Sequence, residues 1–307
     1  MTEGTAPLTA RQRGRAALPF IIVTLIWGST WLVIRDQLSV VPPLWSVSYR
    51  FLLAGGVMLG VAAARGTSIR MKPADFGFAA GLGLTQFVLN YNFVYPAEHY
   101  VTSGLVALVF ALLVVPNALL SWVFLKQGVS RAFLIGSGVA MIGVALLFAH
   151  EMETAAAGPR AVATGIALTL AAVLAASIAN VMQASKRARA LPVMVTMGWA
   201  MLIGATIDAL LAWASSGPPV FEWRIGYVAG LFYLGIFGSA IAFALYFELI
   251  KEMGAARAAY SSVLIPVIAM GLSTLFEGYR WSVEAAVGGA LALVGLAIAL
   301  RARSPAR

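Results

Sequence analysis

Apolar runs of about twenty residues, broken by prolines, glycines and small charge clusters, follow one another along most of the chain, and a helix of about that length crosses the hydrocarbon core of a bilayer. The breaks place spans at 17–34, 43–64, 74–94, 101–124 and 132–149, then at 162–183, 193–214, 226–248, 256–276 and 283–300. This pattern predicts an all-α integral membrane protein with ten transmembrane helices. Arg11, Arg13 and Arg15 ahead of the first run look like the start of a secretory signal. The run is too long for one, however, and no small-residue cleavage site follows it, so it is expected to stay as the first helix.

Basic residues near apolar spans report orientation, because Lys and Arg accumulate in cytoplasmic loops. With a cytoplasmic amino terminus, sixteen of the 21 Lys and Arg fall on the inside, in clusters such as 11–15, 65–72, 186–189 and 301–307. Arg35, Arg160, Arg224 and Arg280 fall on the other side, and Arg50 lies within a span. One helix too many or too few would scramble that alternation. Both termini are therefore expected in the cytoplasm of a bacterial cell, with the chain in its inner membrane. The net charge of +9 is explained by orientation and gives no reason to invoke nucleic acid.

Landmarks recur after about 150 residues: Gly77 and Gly81 match Gly226 and Gly230, while Gly104, Pro116 and Gly128 match Gly254, Pro266 and Gly278. Gly136 and Gly143 likewise match Gly288 and Gly295. The chain thus reads as a five-helix unit used twice: a tail at 1–16, a first repeat at 17–149, a connecting loop at 150–161, a second repeat at 162–300 and a tail at 301–307. An odd number of spans per unit turns the second copy over. Inverted repeats of this kind characterise secondary transporters.

Composition narrows the chemistry. Hydrophobic residues make up 61% and charged residues 11%, so the spans leave room only for short loops and tails and none for a soluble catalytic domain. Cysteine is absent, which removes disulfides, thiolate catalysis and cysteine metal sites. His99 and His150 lie in or beside outer loops, and no HExxH, paired helical carboxylates or phosphate-cradling glycine loop occurs. No cofactor or metal is expected, and a membrane-embedded enzyme is the weakest reading. A channel would need charge rings or filter loops, which are not apparent either.

Trp27-Gly28-Ser29 in the first span, Tyr49-Arg50-Phe51-Leu52-Leu53 in the second, and Pro116 and Pro266 with their flanking glycines carry a resemblance. In these residues the chain resembles the drug/metabolite transporter superfamily, specifically its ten-helix exporters with two EamA-type repeats, and within them bacterial exporters of amino acids, including aromatic ones. The family often places an acidic residue before the glycine after the fourth and ninth helices. Glu277-Gly278 keeps this pattern, whereas Gln127-Gly128 departs from it.

A substrate path needs polar groups inside the membrane, where an unsatisfied one is costly. The third span supplies Gln86 and Asn90 on one helical face, with Tyr91 and Tyr95 on an adjacent one. Interhelical hydrogen bonding is the plain alternative for such residues. Ser177 and Asn180 share a stripe in the sixth span, and Trp27 lies mid-span in the first, where an indole can stack on a substrate. Pro116 and Pro266 each remove an amide that would bond the carbonyl four residues earlier, at Leu112 and Ser262, and so mark kinks that suit gates. Asn117 beside one, with Tyr260 and Ser261 near the other, become candidate cavity residues. The glycine faces of the fifth and tenth spans are expected to pack the two repeats, or two protomers, closely together.

Arg50 and Asp208 are the ionisable groups deepest in spans, at equivalent depths, and the sequence leaves open whether they pair. With Asp208 as the one buried carboxylate, facilitated diffusion or weakly coupled exchange is expected. The function expected is export of small metabolites, amino acids first, by alternating access around a central site. The alternative within transport, a nucleotide-sugar or phosphate-ester carrier, would call for several cavity-facing cations.

Overall fold

A computed structural model describes residues 10–38, 40–126, 128–154, 158–253 and 261–301, and every regular element in it is a helix. Numbered α1 to α10, the spans are Ala10–Asp36, Pro43–Ala64, 73–97, Ser103–Leu125, Arg131–Thr154, Pro159–Ala184, Val193–Ser216, 225–253, Ser261–Phe276 and Val283–Arg301. Among the described residues eight are long and apolar enough to cross a bilayer. The other two are α3, which carries the polar cluster, and α9, which has 16 residues. Prolines open several helices: Pro43, Pro73 and Pro159 occupy first-turn positions, where the missing amide costs nothing. Tyr260 and Gln127 lie outside the described residues.

Helix packing repeats across an approximate two-fold. The pairs α2 with α7 and α5 with α10 are each matched to their own counterpart. The remaining contacts come in equivalent sets: α1 packs on α8 and α9 as α6 packs on α3 and α4, while α2 meets α8 as α7 meets α3. This is the arrangement that an inverted five-helix duplication demands. The glycine faces serve this packing within one chain. A Cβ on Gly136 would come within 2.7 Å of the Gly295 carbonyl oxygen, and one on Gly288 within 2.7 Å of the Gly143 carbonyl oxygen. Lipid tails are as apolar as leucine, so such seams hold by close backbone packing rather than by hydrophobic expulsion.

Both α3 and α8 contain a π-helical stretch, Gly83–Leu89 in one and Tyr233–Ile241 in the other, starting 150 residues apart. Wide turns of this kind are rare and cluster at functional positions. Each stretch is pressed against the opposite repeat. An added Cβ on Gly83 would lie 2.6 Å from the Ala200 carbonyl oxygen in α7, and one on Gly235 would lie 2.9 Å from Leu53 in α2.

The two prolines behave differently. At Pro116 the helix breaks, with α4 running as Ser103–Ala111 and Val114–Leu125, and the Leu112 carbonyl accepts instead from the Val115 amide at 2.8 Å. At Pro266 the α9 helix continues through. The halves of α4 also differ in burial. Its first half is buried from Ser103 to Val109, whereas Val114 is the buried residue of the second. The bundle is thus closed around α4 on the face bearing the turns at 98–102 and 277–282. Few Lys and Arg border that arginine-poor face, which lies opposite the basic one.

Candidate functional site

Trp27, in the middle of α1, donates its indole N–H to the Gly238 carbonyl on the π turn of α8, 3.1 Å away. The same ring packs against Phe243 and Tyr246. Two residues on, Ser29 shares a hydrogen bond with the Tyr233 hydroxyl at 2.7 Å. The first repeat therefore grips the π stretch of the second along one side, and Gly28 between them lets Ile268 of α9 approach.

Arg50 grips it from the other side. The guanidinium is buried, donates from Nε to Ser239 Oγ at 3.2 Å, and reaches the Tyr91 hydroxyl at 3.5 Å. Its carbon lies 4.7 Å from the Tyr91 ring centre and 5.1 Å from that of Phe51, two edge-to-face rings that favour a cation beside them. Tyr95, fully buried, lies beside the same guanidinium. Asp208 is elsewhere: its Oδ1 accepts from Asn92 Nδ2 at 2.8 Å, joining α7 to α3. Arg50 and Asp208 thus have separate partners.

Gln86 lies in the π stretch of α3 and Asn90 one turn on, both buried. Gln86 Oε1 and Asn90 Oδ1 have no hydrogen-bond partner among the described residues. Polar atoms buried without partners are costly in any protein interior, so two on one helix mark a place prepared for something else. Tyr91, next in the chain, packs edge-on against Phe51. On the basic side, Asn180 Nδ2 reaches Asn117 Oδ1 at 3.5 Å, so α6 and α4 bring two of the expected residues together. Ser177 turns its hydroxyl to the Val173 carbonyl of its own helix at 2.8 Å, and Ser261 is buried at the start of α9. Because Ser177 is buried and engaged within α6, Ser177→Ala is expected to cost about 0.5–1.5 kcal/mol of stability, the net worth of one hydrogen bond, and to leave transport unaltered. A transport assay normalised to protein abundance checks this.

Glu98 escapes the sequence reading. It follows Pro96, where a loop is expected, yet α3 runs to Ala97 and Glu98 is fully buried in the turn leading to α4. Neither carboxyl oxygen has a hydrogen-bond partner among the described residues, and nor has Thr102 Oγ1 in the same turn. Burial, then the proximity of Glu277, hold this carboxyl well above the usual carboxylate range, against the opposing pull of Arg35 and Arg50. Glu277 itself sits just past α9, and its Oε2 accepts from the Ser103 amide at 3.1 Å and the Ser103 hydroxyl at 2.9 Å. The one signal that marks Glu98 in the sequence is its repeat partner, Glu248, 150 residues on.

Two inverted five-helix halves enclosing aromatic and amide side chains within the bilayer define a multi-pass membrane transporter. The chain belongs to the EamA-like transporter family, whose model matches residues 14–149 and again 163–301. Protein PagO of Salmonella typhimurium is 25% identical over 285 residues, covering 93% of this chain and 92% of that one. YedA of Escherichia coli K12, an uncharacterized inner membrane transporter, is 28% identical over 270 residues, covering 83% and 80% respectively. A crystal structure shares the fold with a TM-score of 0.67 at 23% identity, covering 94% of this chain and 96% of the other.

Proposed function

We propose that this transporter exports small metabolites, amino acids with aromatic or neutral side chains first among them, by alternating access around a site between the repeats. The observation that carries the reading is the pair of buried, unpartnered amide oxygens of Gln86 and Asn90 beside Tyr91 and Tyr95. Amide acceptors satisfy an ammonium group, and aromatic rings accept the apolar part of such a substrate. Matched π stretches in α3 and α8 supply the element that can repack in two ways, with Pro116 and Pro266 as its gates. The basic face is cytoplasmic in this reading, following the bias of Lys and Arg. A phosphate-ester substrate fits less well, because Arg50 is enclosed by Ser239, Tyr91 and Phe51.

Protein reconstituted in liposomes is expected to carry a labelled aromatic or neutral amino acid. Gln86→Ala and Asn90→Ala are each expected to reduce transport about ten-fold or more, the loss of roughly one charged hydrogen bond, at unchanged abundance. Normal transport by both variants would remove α3 from the site. Stabilisation by sugar phosphates and not by amino acids in a thermal-shift screen would overturn the substrate class.

A further inference from the structure

Closure of the arginine-poor face rests on α4 and α9. A Cβ on Gly104 would lie 2.8 Å from Met270 and 2.9 Å from Ser273, so the two helices touch backbone to side chain there. Glu277 fastens the contact. It accepts from Ser103 in the first turn of α4, and the Ser273 hydroxyl donates to it from α9. The first turn of a helix favours an acidic side chain, and Glu277 supplies one here. Glu98 comes to the same place from α3, fully buried, with both oxygens unpartnered among the described residues.

Two carboxylates brought together away from water cannot both keep their charge cheaply. Glu277 Oε2 receives the Ser103 amide and two hydroxyls, with Oε1 unpartnered, whereas neither oxygen of Glu98 has a donor among the described residues. Of the pair, Glu98 is the one that takes a proton. We propose that the turn between α3 and α4 is a proton-binding site, in which Glu98 takes up one proton from the arginine-poor side and thereby allows the α4–α9 closure to hold. The inference rests on the carrier reading, and it deepens it by naming a proton as the coupling ion. The charged and titratable groups facing Glu98 are Glu277 after α9, Arg35 of α1, Arg50 of α2 and Tyr95 of its own helix, with His99 next to it and under the influence of the same Arg35.

The sign follows from burial. In the closed state the Glu98 carboxyl titrates higher than it would when hydrated. Closure is therefore favoured at low pH and weakened as pH rises through that elevated value. The repeat makes the device one-sided. The positions equivalent to Glu98 and Glu277 on the basic face are Glu248 and Gln127, a carboxylate and a neutral amide, so the like-charge pair exists on one face in the sequence.

Infrared titration of the purified full-length protein tests the site without any substrate. With Asp208→Asn as background, so that the other buried carboxyl gives no signal, a protonated-carboxyl carbonyl band is expected to persist above the ordinary carboxylate range and to vanish when Glu98→Gln is added. Glu277→Gln, which removes the like charge but keeps an acceptor for Ser103, is expected to shift its midpoint downwards. Liposome efflux then tests coupling. Wild-type rates should rise about ten-fold when the arginine-poor side is acidified from about pH 8 to about pH 6, while Glu98→Gln should vary less than about two-fold. Absence of the band in Asp208→Asn, or its survival in the Asp208→Asn, Glu98→Gln double variant, overturns the proton site whatever the substrate. A band with a pH-independent wild-type rate overturns the coupling. Failure of amino acid transport with the band intact counts against the substrate class alone.

Discussion

Arg50→Leu is expected to cut transport at least about ten-fold, equivalent to about 1.4 kcal/mol, while the protein still inserts in the membrane. The reason is the position of the guanidinium between three helices. It extends from α2, donates to Ser239 on the π stretch of α8, and stacks on Tyr91 of α3. The π stretch of α8 and the turn that follows the π stretch of α3 are therefore referenced to one side chain. A desolvated cation on aromatic faces is worth about 2 kcal/mol and a charged hydrogen bond about 1.5–3 kcal/mol. Removing the cation also removes the cost of burying it, so a net loss of stability of about 1–3 kcal/mol is expected. Arg50→Lys is expected to recover little of the transport, because an ammonium cannot donate in the plane of Ser239 and stack flat on Tyr91 at once. Uptake by reconstituted variants, set beside their melting in detergent, checks both statements. Wild-type uptake and melting in Arg50→Leu would make the residue a passenger.

The spans were readable because the hydrocarbon core sets a length that the apolar runs match, and because the charge alternation counts helices that hydropathy alone leaves short. The 16-residue α9 and the polar α3 belong to the bundle on the second ground. The glycine seams were readable too, since a backbone approach needs the same small residues wherever it occurs. The π stretches were not. A wide turn uses no distinctive residue, and Gly83 and Gly235 differ from other span glycines only in what they touch. Pro116 and Pro266 look alike in sequence, yet one helix breaks and the other does not, because neighbouring groups decide where the freed carbonyl is satisfied.

The candidate site divides in the same way. Gln86, Asn90 and the tyrosines stand out because amides and phenols are conspicuous in an apolar run. Ser177 stood out equally, but an i−4 carbonyl takes its hydroxyl, an outcome that spacing cannot distinguish. Glu98 was hidden by the opposite error. A glutamate just after Pro96 reads as a loop residue in water, and only the packing of α3 against Glu277 and Arg35 shows that it is buried. The expectation of weak coupling counts Asp208 alone, and the proposed proton site at Glu98 adds a second buried carboxyl to that count while leaving the fold untouched.

Gly143→Val is expected to destabilise the protein by about 2–3 kcal/mol, the usual cost of overpacking a close contact. Gly138→Val, on the same helix, should cost less than about 0.5 kcal/mol. The contrast follows from what each glycine faces. A Cβ at Gly143 would fall on the Ala292 backbone nitrogen and come within 2.5 Å of the Gly288 carbonyl oxygen, and backbone atoms cannot move aside as a flexible side chain can. At Gly138 nothing lies within 4 Å. Because the α5–α10 seam closes within one chain, the Gly143 effect should appear in the melting of the monomer and be independent of protein concentration. A seam between protomers would instead give a melting point that rises with concentration. Melting of both variants at two concentrations decides the matter: equal melting for the two would dissolve the seam argument, and a concentration-dependent loss would move it to a dimer interface.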